Sequence, residues 1–337
     1  MTRRTEVALL AAALLVLTGC GSSSSSSGGT GATPSATSVE VLLDWVPNPD
    51  HLALYTSLAR GYFTSQGLNV KLQPPSNVTD VAKLVATGNA PLGISYEPDT
   101  IIAGAAGLPI TAVGALVPVA LNSIIAPAKS GITTPAGLKN KSVGVSGLPS
   151  DDAFLKAISL HAGIPESTIH KVNVGSSLLP SVVSGKVDAI LGGYRNVEAI
   201  QVRDMGLNPT VIPITAAGVP QYDELVIIAN SNKLKTDPGY QQTVREFLAA
   251  LAKGNAVAVA HPSVGAASMQ AVVKGYPADQ VKQMVAATAP LLDNPLGFGQ
   301  MRASSWQGFA NWMRTNRLIN KAVKVSSVMT DYYLPRR

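Results

Sequence analysis

The chain has 337 residues, 46% of them apolar but only 5% aromatic, with a formal charge of +6. That length suits about two domains built around an aliphatic core, so any aromatic on a polar loop stands out. No long basic run with interleaved aromatics accompanies the charge, which excludes nucleic acid as the expected partner, and a sole cysteine, Cys20, excludes an internal disulfide or a cysteine-built metal cluster.

Arg3 and Arg4 open the chain, residues 7–17 are apolar, and Leu17-Thr18-Gly19-Cys20 follows. Eleven apolar residues fall short of a bilayer span, so residues 1–19 read as a signal peptide. The tetrapeptide resembles the bacterial lipobox, which implies that Cys20 is lipidated and becomes the mature amino terminus. Removing residues 1–19 takes away Arg3, Arg4 and Glu6 and leaves +5. Residues 21–37 contain only Gly, Ser, Thr, Ala and Pro, and with Cys20 they make a flexible tether over 20–37. Anchor, tether and body in that order predict a protein held by lipid on the extracytoplasmic face of a bacterial cell membrane.

From Val39 onward, short aliphatic strands alternate with helices of about ten residues, a pattern that calls for parallel sheets covered on both faces. A strand at 39–43 opens into the loop Asp44-Trp45-Val46-Pro47-Asn48-Pro49-Asp50-His51 and a helix from Leu52. A strand at 70–72 precedes a helix with Val81, Leu84 and Val85 on its apolar face, capped by Thr79 or Asp80 and closed by Gly88. A strand at 92–94 ends in Ser95-Tyr96-Glu97-Pro98 and a helix. A strand at 110–116 leads to Asn122 at the head of an apolar run.

A second unit repeats the theme. Strands at 142–145, 172–174, 189–191 and 211–214 alternate with helices, and the third ends in Gly193-Tyr194-Arg195-Asn196. Val85-Ala86-Thr87-Gly88 leading to Tyr96 is echoed by Val183-Ser184-Gly185-Lys186 leading to Tyr194. A strand at 225–229 returns to the first unit, and helices complete the chain. The last of them carries Trp306, Phe309, Trp312 and Met313 at core-packing spacing. The expected organisation is two α/β lobes, 38–128 with 225–337 and 129–224. Crossings near 126–130 and 223–225 would join them around a ligand cleft.

Catalytic signatures are missing: no G-x-S-x-G, no P-loop, no G-x-G-x-x-G and no H-E-x-x-H. His51, His161, His170 and His261 lack metal-ligand spacing, and no cofactor is expected. The strand ends are richer. Asp44, Trp45, Asn48, His51, Tyr96, Glu97, Asn122, Tyr194, Asn196 and Glu198 set aromatics beside carboxylates and amides, which suits a small nitrogen-bearing ring that stacks and donates hydrogen bonds. An anionic ligand would want converging cations, and Arg195 alone keeps that option open. Glu198 has a second reading as a first-turn helix carboxylate, and Asp223 and Glu224 read as solvated charges of the second crossing.

These residues resemble the substrate-binding lipoproteins of bacterial ABC importers, in the branch that binds pyrimidine precursors of thiamine. The resemblance rests on Leu43-Asp44-Trp45-Val46-Pro47-Asn48 with His51, Gly61-Tyr62-Phe63, Gly93-Ile94-Ser95-Tyr96-Glu97-Pro98, Leu121-Asn122-Ser123, and Gly193-Tyr194 with Asn196 and Glu198. It implies a two-lobed periplasmic-binding-protein type II fold that closes on its ligand and delivers it to a membrane permease, and the chain is expected to be a monomer. Trp45, Tyr96 and Tyr194 would stack on the ring, Glu198 and Asn122 would hydrogen-bond it, and Asn48, His51 and Glu97 would shape the pocket floor. Arg195 and Val197 depart from a more aromatic pattern in that branch. The related fungal pyrimidine synthases use a cysteine cluster with iron that this chain lacks. Riboflavin or a sulfonate remains an alternative ligand for the same role. A pyrimidine-processing enzyme, with His51 as general base beside Asp44 or Glu97, is the alternative from another class.

Overall fold

The computed structural model describes residues 36–273 and 275–336. Cys20, the signal segment and all but the last two residues of the tether lie outside them. Among the described residues ten strands form two five-stranded sheets. The first contains β1 (Thr37–Leu42), β2 (Leu68–Gln73), β3 (Leu92–Ser95) and β4 (Ile110–Val117). The second contains β5 (Asn122–Ala126), β6 (Ser142–Val145), β7 (His170–Asn173), β8 (Ala189–Tyr194) and β9 (Thr210–Pro213). β10 (Leu225–Asn230) then returns to the first sheet.

The strand orders are β2-β1-β3-β10-β4 and β7-β6-β8-β5-β9, the same pattern twice. In each sheet the fourth strand runs antiparallel to both neighbours: β10 to β3 and β4, and β5 to β8 and β9. The expectation of parallel sheets is corrected by one strand in each. The lobe boundary at 128 is corrected too, because the Asn122–Ala126 segment pairs with β8 and β9. The first crossing therefore lies at 118–121.

Sequence chemistry explains the placement. β2 is an edge strand and alternates, with Leu68 and Val70 buried while Asn69 and Lys71 are exposed. β10 sits between two strands and is buried at every position, as a strand covered on both faces requires. Leu225, Ile227 and Ala229 pack with Phe63, Phe247 and Leu251 on one face of the first sheet, while Val226 and Ile228 pack with Val81, Ile101 and Trp306 on the other. That second cluster continues into the other half through Ile124, Val143 and Phe154. Trp306, Phe309 and Met313 are buried in it, so the C-terminal stripe is core.

β3 and β8 hold equivalent places in the two sheets. Each follows a helix ended by a glycine in the left-handed region or one residue before it, Gly88 at φ 79° and Gly185 at φ 76°. Tyr96 and Tyr194 therefore occupy matching positions, facing each other from opposite halves.

Candidate functional site

The cleft is built from the loops at the carboxyl ends of β1, β3, β6 and β8, with the two crossings at its back. Its walls include Asp44, Trp45, Asn48, Tyr96, Asn122, Tyr194 and Glu198, together with Ser146, Ser150, Asp151, Tyr222 and Glu224. The empty space between them, open solvent at the mouth included, is about 530 Å³. Seven of the ten residues expected to bind ligand are thus brought together; His51, Glu97 and Asn196 are not on the wall.

His51 acts through Asp44. Asn48 caps the 3-10 turn Pro49–His51, its Oδ1 accepting the Asp50 N–H at 2.8 Å. His51 Nδ1 accepts the Asn48 N–H at 3.2 Å, so the ring proton sits on Nε2, which donates to Asp44 Oδ1 at 2.7 Å. The other Asp44 oxygen accepts from Tyr96 Oη at 2.9 Å. The imidazole is fully buried with both nitrogens occupied, which makes it a positioning group.

Glu97 turns to the back of the molecule. Its Oε2 accepts the Asp223 N–H at 2.8 Å and its own N–H donates to the Asp223 carbonyl at 3.3 Å, tying the head of helix Glu97–Ala105 to the second crossing. Burial and the nearby Asp223 charge push its carboxyl well above the usual range. Asn196 ties the halves together. Its Nδ2 donates to Asp50 Oδ1 at 2.7 Å and to Thr288 Oγ1 at 2.8 Å, and burial holds Asp50 protonated well above the ordinary carboxylate pKa. Arg195 also turns from the cleft, its guanidinium donating to the Ala120 carbonyl.

Two acidic residues gain roles that the sequence did not disclose. Glu224 is buried and Asp223 is half-buried, and both carboxylates are held by hydrogen bonds. The Asp223 carboxylate accepts from Trp306 Nε1 at 2.8 Å. Glu224 is 2% exposed; its Oε2 accepts from Leu121 N, Asn122 N and Tyr222 Oη, and its Oε1 from Tyr194 Oη. The signal was one carboxylate immediately ahead of a buried strand. Asp151 Oδ2 gathers Ser146 Oγ and the N–H groups of Gly147 and Leu148, and burial still lifts its pKa to about 6. Asp99 joins the halves at the cleft edge, accepting from Ser150 N at 3.1 Å and Ser150 Oγ at 2.7 Å.

Glu198 heads the helix Glu198–Asp204 and accepts the Tyr194 N–H at 2.8 Å. Burial nevertheless pushes its pKa up to about 7. Asn122 Oδ1 accepts the Gly192 N–H at 3.0 Å, which orients its amide. Among the described residues, Trp45, Tyr96 and Tyr194 have no aromatic ring partner. The wall thus holds four carboxylates, Asp44, Asp151, Glu198 and Glu224, and no Lys, Arg or His. Such a space favours an uncharged or cationic planar molecule rich in N–H donors and disfavours anions. Among the described residues no group of three or more His, Cys, Asp or Glu side chains is arranged to hold a metal.

Similarity to known proteins places the chain in a family. It is 32% identical over 85% of its length to the formylaminopyrimidine-binding protein of Halalkalibacterium halodurans, covering 87% of that protein. It is 27% identical over 68% of its length to a 4-amino-5-hydroxymethyl-2-methylpyrimidine phosphate synthase of Saccharomyces cerevisiae, covering 69% of it. Among solved structures, the alkanesulfonate-binding protein of Xanthomonas axonopodis pv. citri superimposes with a TM-score of 0.68 at 15% identity, over 87% of this chain and 98% of that one. The fold is therefore that of the periplasmic binding proteins. The NMT1/THI5-like family model matches residues 48–264, a span that takes in the cleft residues of both sheets from Asn48 to Glu224, and the chain belongs to that family.

Proposed function

We propose that this chain is the solute-binding lipoprotein of an ABC importer, anchored through Cys20 outside a bacterial cell membrane, and that it captures an aminopyrimidine precursor of thiamine, formylaminopyrimidine or hydroxymethylpyrimidine, for a permease. It acts as a monomer. The observation that carries this reading is the cleft wall, with three aromatic side chains and four carboxylates that, among the described residues, face no ring partner and no Lys or Arg on that wall.

Trp45, Tyr96 and Tyr194 stack on the ring, while Glu198 and Asn122 take up its amine and ring nitrogens. The lobes, joined by crossings at 118–121 and 214–224, hinge over the ligand, and the closed form is the one the permease accepts. A sulfonate is disfavoured because Arg195 is spent on Ala120. The synthase reading suggested by the yeast relatives is weakened in the same way, since a phosphate-ester product wants cations and the cleft wall carries carboxylates instead. His51 also has no free nitrogen to act as a base.

The test is calorimetric titration of residues 36–337 with formylaminopyrimidine, hydroxymethylpyrimidine, thiamine, riboflavin and taurine. Saturable binding of either pyrimidine supports the reading. Binding of riboflavin or taurine alone overturns the ligand, and turnover of a pyrimidine by the purified protein overturns the binding-only role.

A further inference from the structure

A second space lies behind Tyr96, bounded by helices Val81–Thr87 and Glu97–Ala105 and by β3 of the first sheet. It measures about 680 Å³, its open side included. Carbon dominates its walls, among them Val81, Ala82, Ile102 and Leu108. The two carboxylates that touch it are already committed. Asp44 has one oxygen on His51 and the other on Tyr96, and Asp99 has both on Ser150. Asp44, Tyr96 and Leu148 line both this space and the cleft, so the two are neighbours that share a wall.

We infer that this space is a second compartment of the ligand site, taking an apolar substituent of the heterocycle bound in the cleft. The inference rests on the cleft being a pyrimidine site and deepens that reading by naming a class of ligand, aminopyrimidines carrying an alkyl or aryl group. Water gains little in a space walled by carbon, whereas an alkyl chain removes its own apolar surface from water on entering. Leu148 and Pro149, which cover the compartment, stand at the start of helix Pro149–Ala162 in the other half of the molecule. A substituent there touches both halves, and that contact exists only when the halves meet. It supplies the differential affinity for the closed arrangement that any ligand-driven closure requires.

The experiment is a calorimetric titration of residues 36–337 with 4-aminopyrimidines bearing methyl, ethyl, propyl and butyl groups at C2, and separately at C5. The expected result is an affinity that rises about fourfold for each added methylene in one of the two series, with the binding heat capacity growing more negative along it. Ala82→Phe, which fills the compartment, abolishes that rise. Should the methyl compounds bind while affinity stays flat or falls along both series, the compartment is overturned and the pyrimidine site survives. Should no member bind, the site and its compartment fall together.

Discussion

Glu224 reaches across the back of the cleft to Asn122, its Oε2 accepting the Asn122 N–H at 2.9 Å and the neighbouring Leu121 N–H at 2.5 Å. One carboxylate thereby binds the two crossings to each other, and through Tyr222 and Tyr194 it reaches both halves. Glu224→Ala leaves two backbone donors and two phenols without their acceptor. We expect a loss of about 3 kcal/mol in unfolding stability, read as a fall in the urea midpoint. Glu224→Gln keeps one acceptor oxygen and loses less.

Removing the Trp45 side chain tests the stacking role directly. The ring is only half-buried, so Trp45→Ala changes folding little, while loss of one face of the stack costs about 2 kcal/mol, or roughly thirtyfold in Kd for the pyrimidine. Equal affinity in variant and parent would remove Trp45 from the site.

His51→Ala separates positioning from catalysis. The imidazole fills buried space and supplies a donor to Asp44, so its loss lowers the unfolding temperature, by about 2–4 kcal/mol in stability. Incubated with a bound pyrimidine, parent and variant both return it unchanged by chromatography; a product formed by the parent alone would restore the enzyme reading.

Stability responds to pH through the buried acids. Burial raises Asp99 and Glu198 to about 7 and Asp151 and Asp223 to about 6. Between about pH 4 and pH 7 the folded protein keeps protons that the unfolded chain has released, so stability falls as pH rises through that window, and Asp50 and Glu97, raised well above the usual carboxylate range, add to the fall. The ligand-free body should melt higher at pH 5 than at pH 7.5, as calorimetric scans at the two values will report.

Arg195→Ala examines a cation that sits beside the first crossing. Because its guanidinium serves the Ala120 carbonyl in the first crossing, pyrimidine affinity stays within about threefold of the parent. A large change would place Arg195 at the ligand.

Much of this architecture was written in local patterns. Aliphatic runs marked nine of the ten strands, and the cap at Gly88 and the matched tyrosines needed only neighbours to be read. What escaped depended on partners far along the chain. The run at 122–126 looked like the tail of the first unit because its pairing with β8 and β9 comes some seventy residues later. Glu224 looked solvated beside Asp223 because the N–H groups that it accepts lie about a hundred residues upstream. His51, Glu97 and Asn196 sat in the right loops, but their direction was set by packing. His51 turned to Asp44, Glu97 to Asp223 and Asn196 to Asp50.

The registers of the outer strands carry one more consequence. Val117, the last residue of β4, stands opposite Leu225, the first of β10, in antiparallel pairing, so everything between them occupies the position of a hairpin turn. Ser123 likewise stands opposite Pro213 at the base of the second sheet. The second half is thus a guest lodged in one tight bend of its host. Replacing residues 118–224 by a two-residue turn would leave the five strands of the first sheet in unbroken order, a miniature in which the host can be studied without its guest.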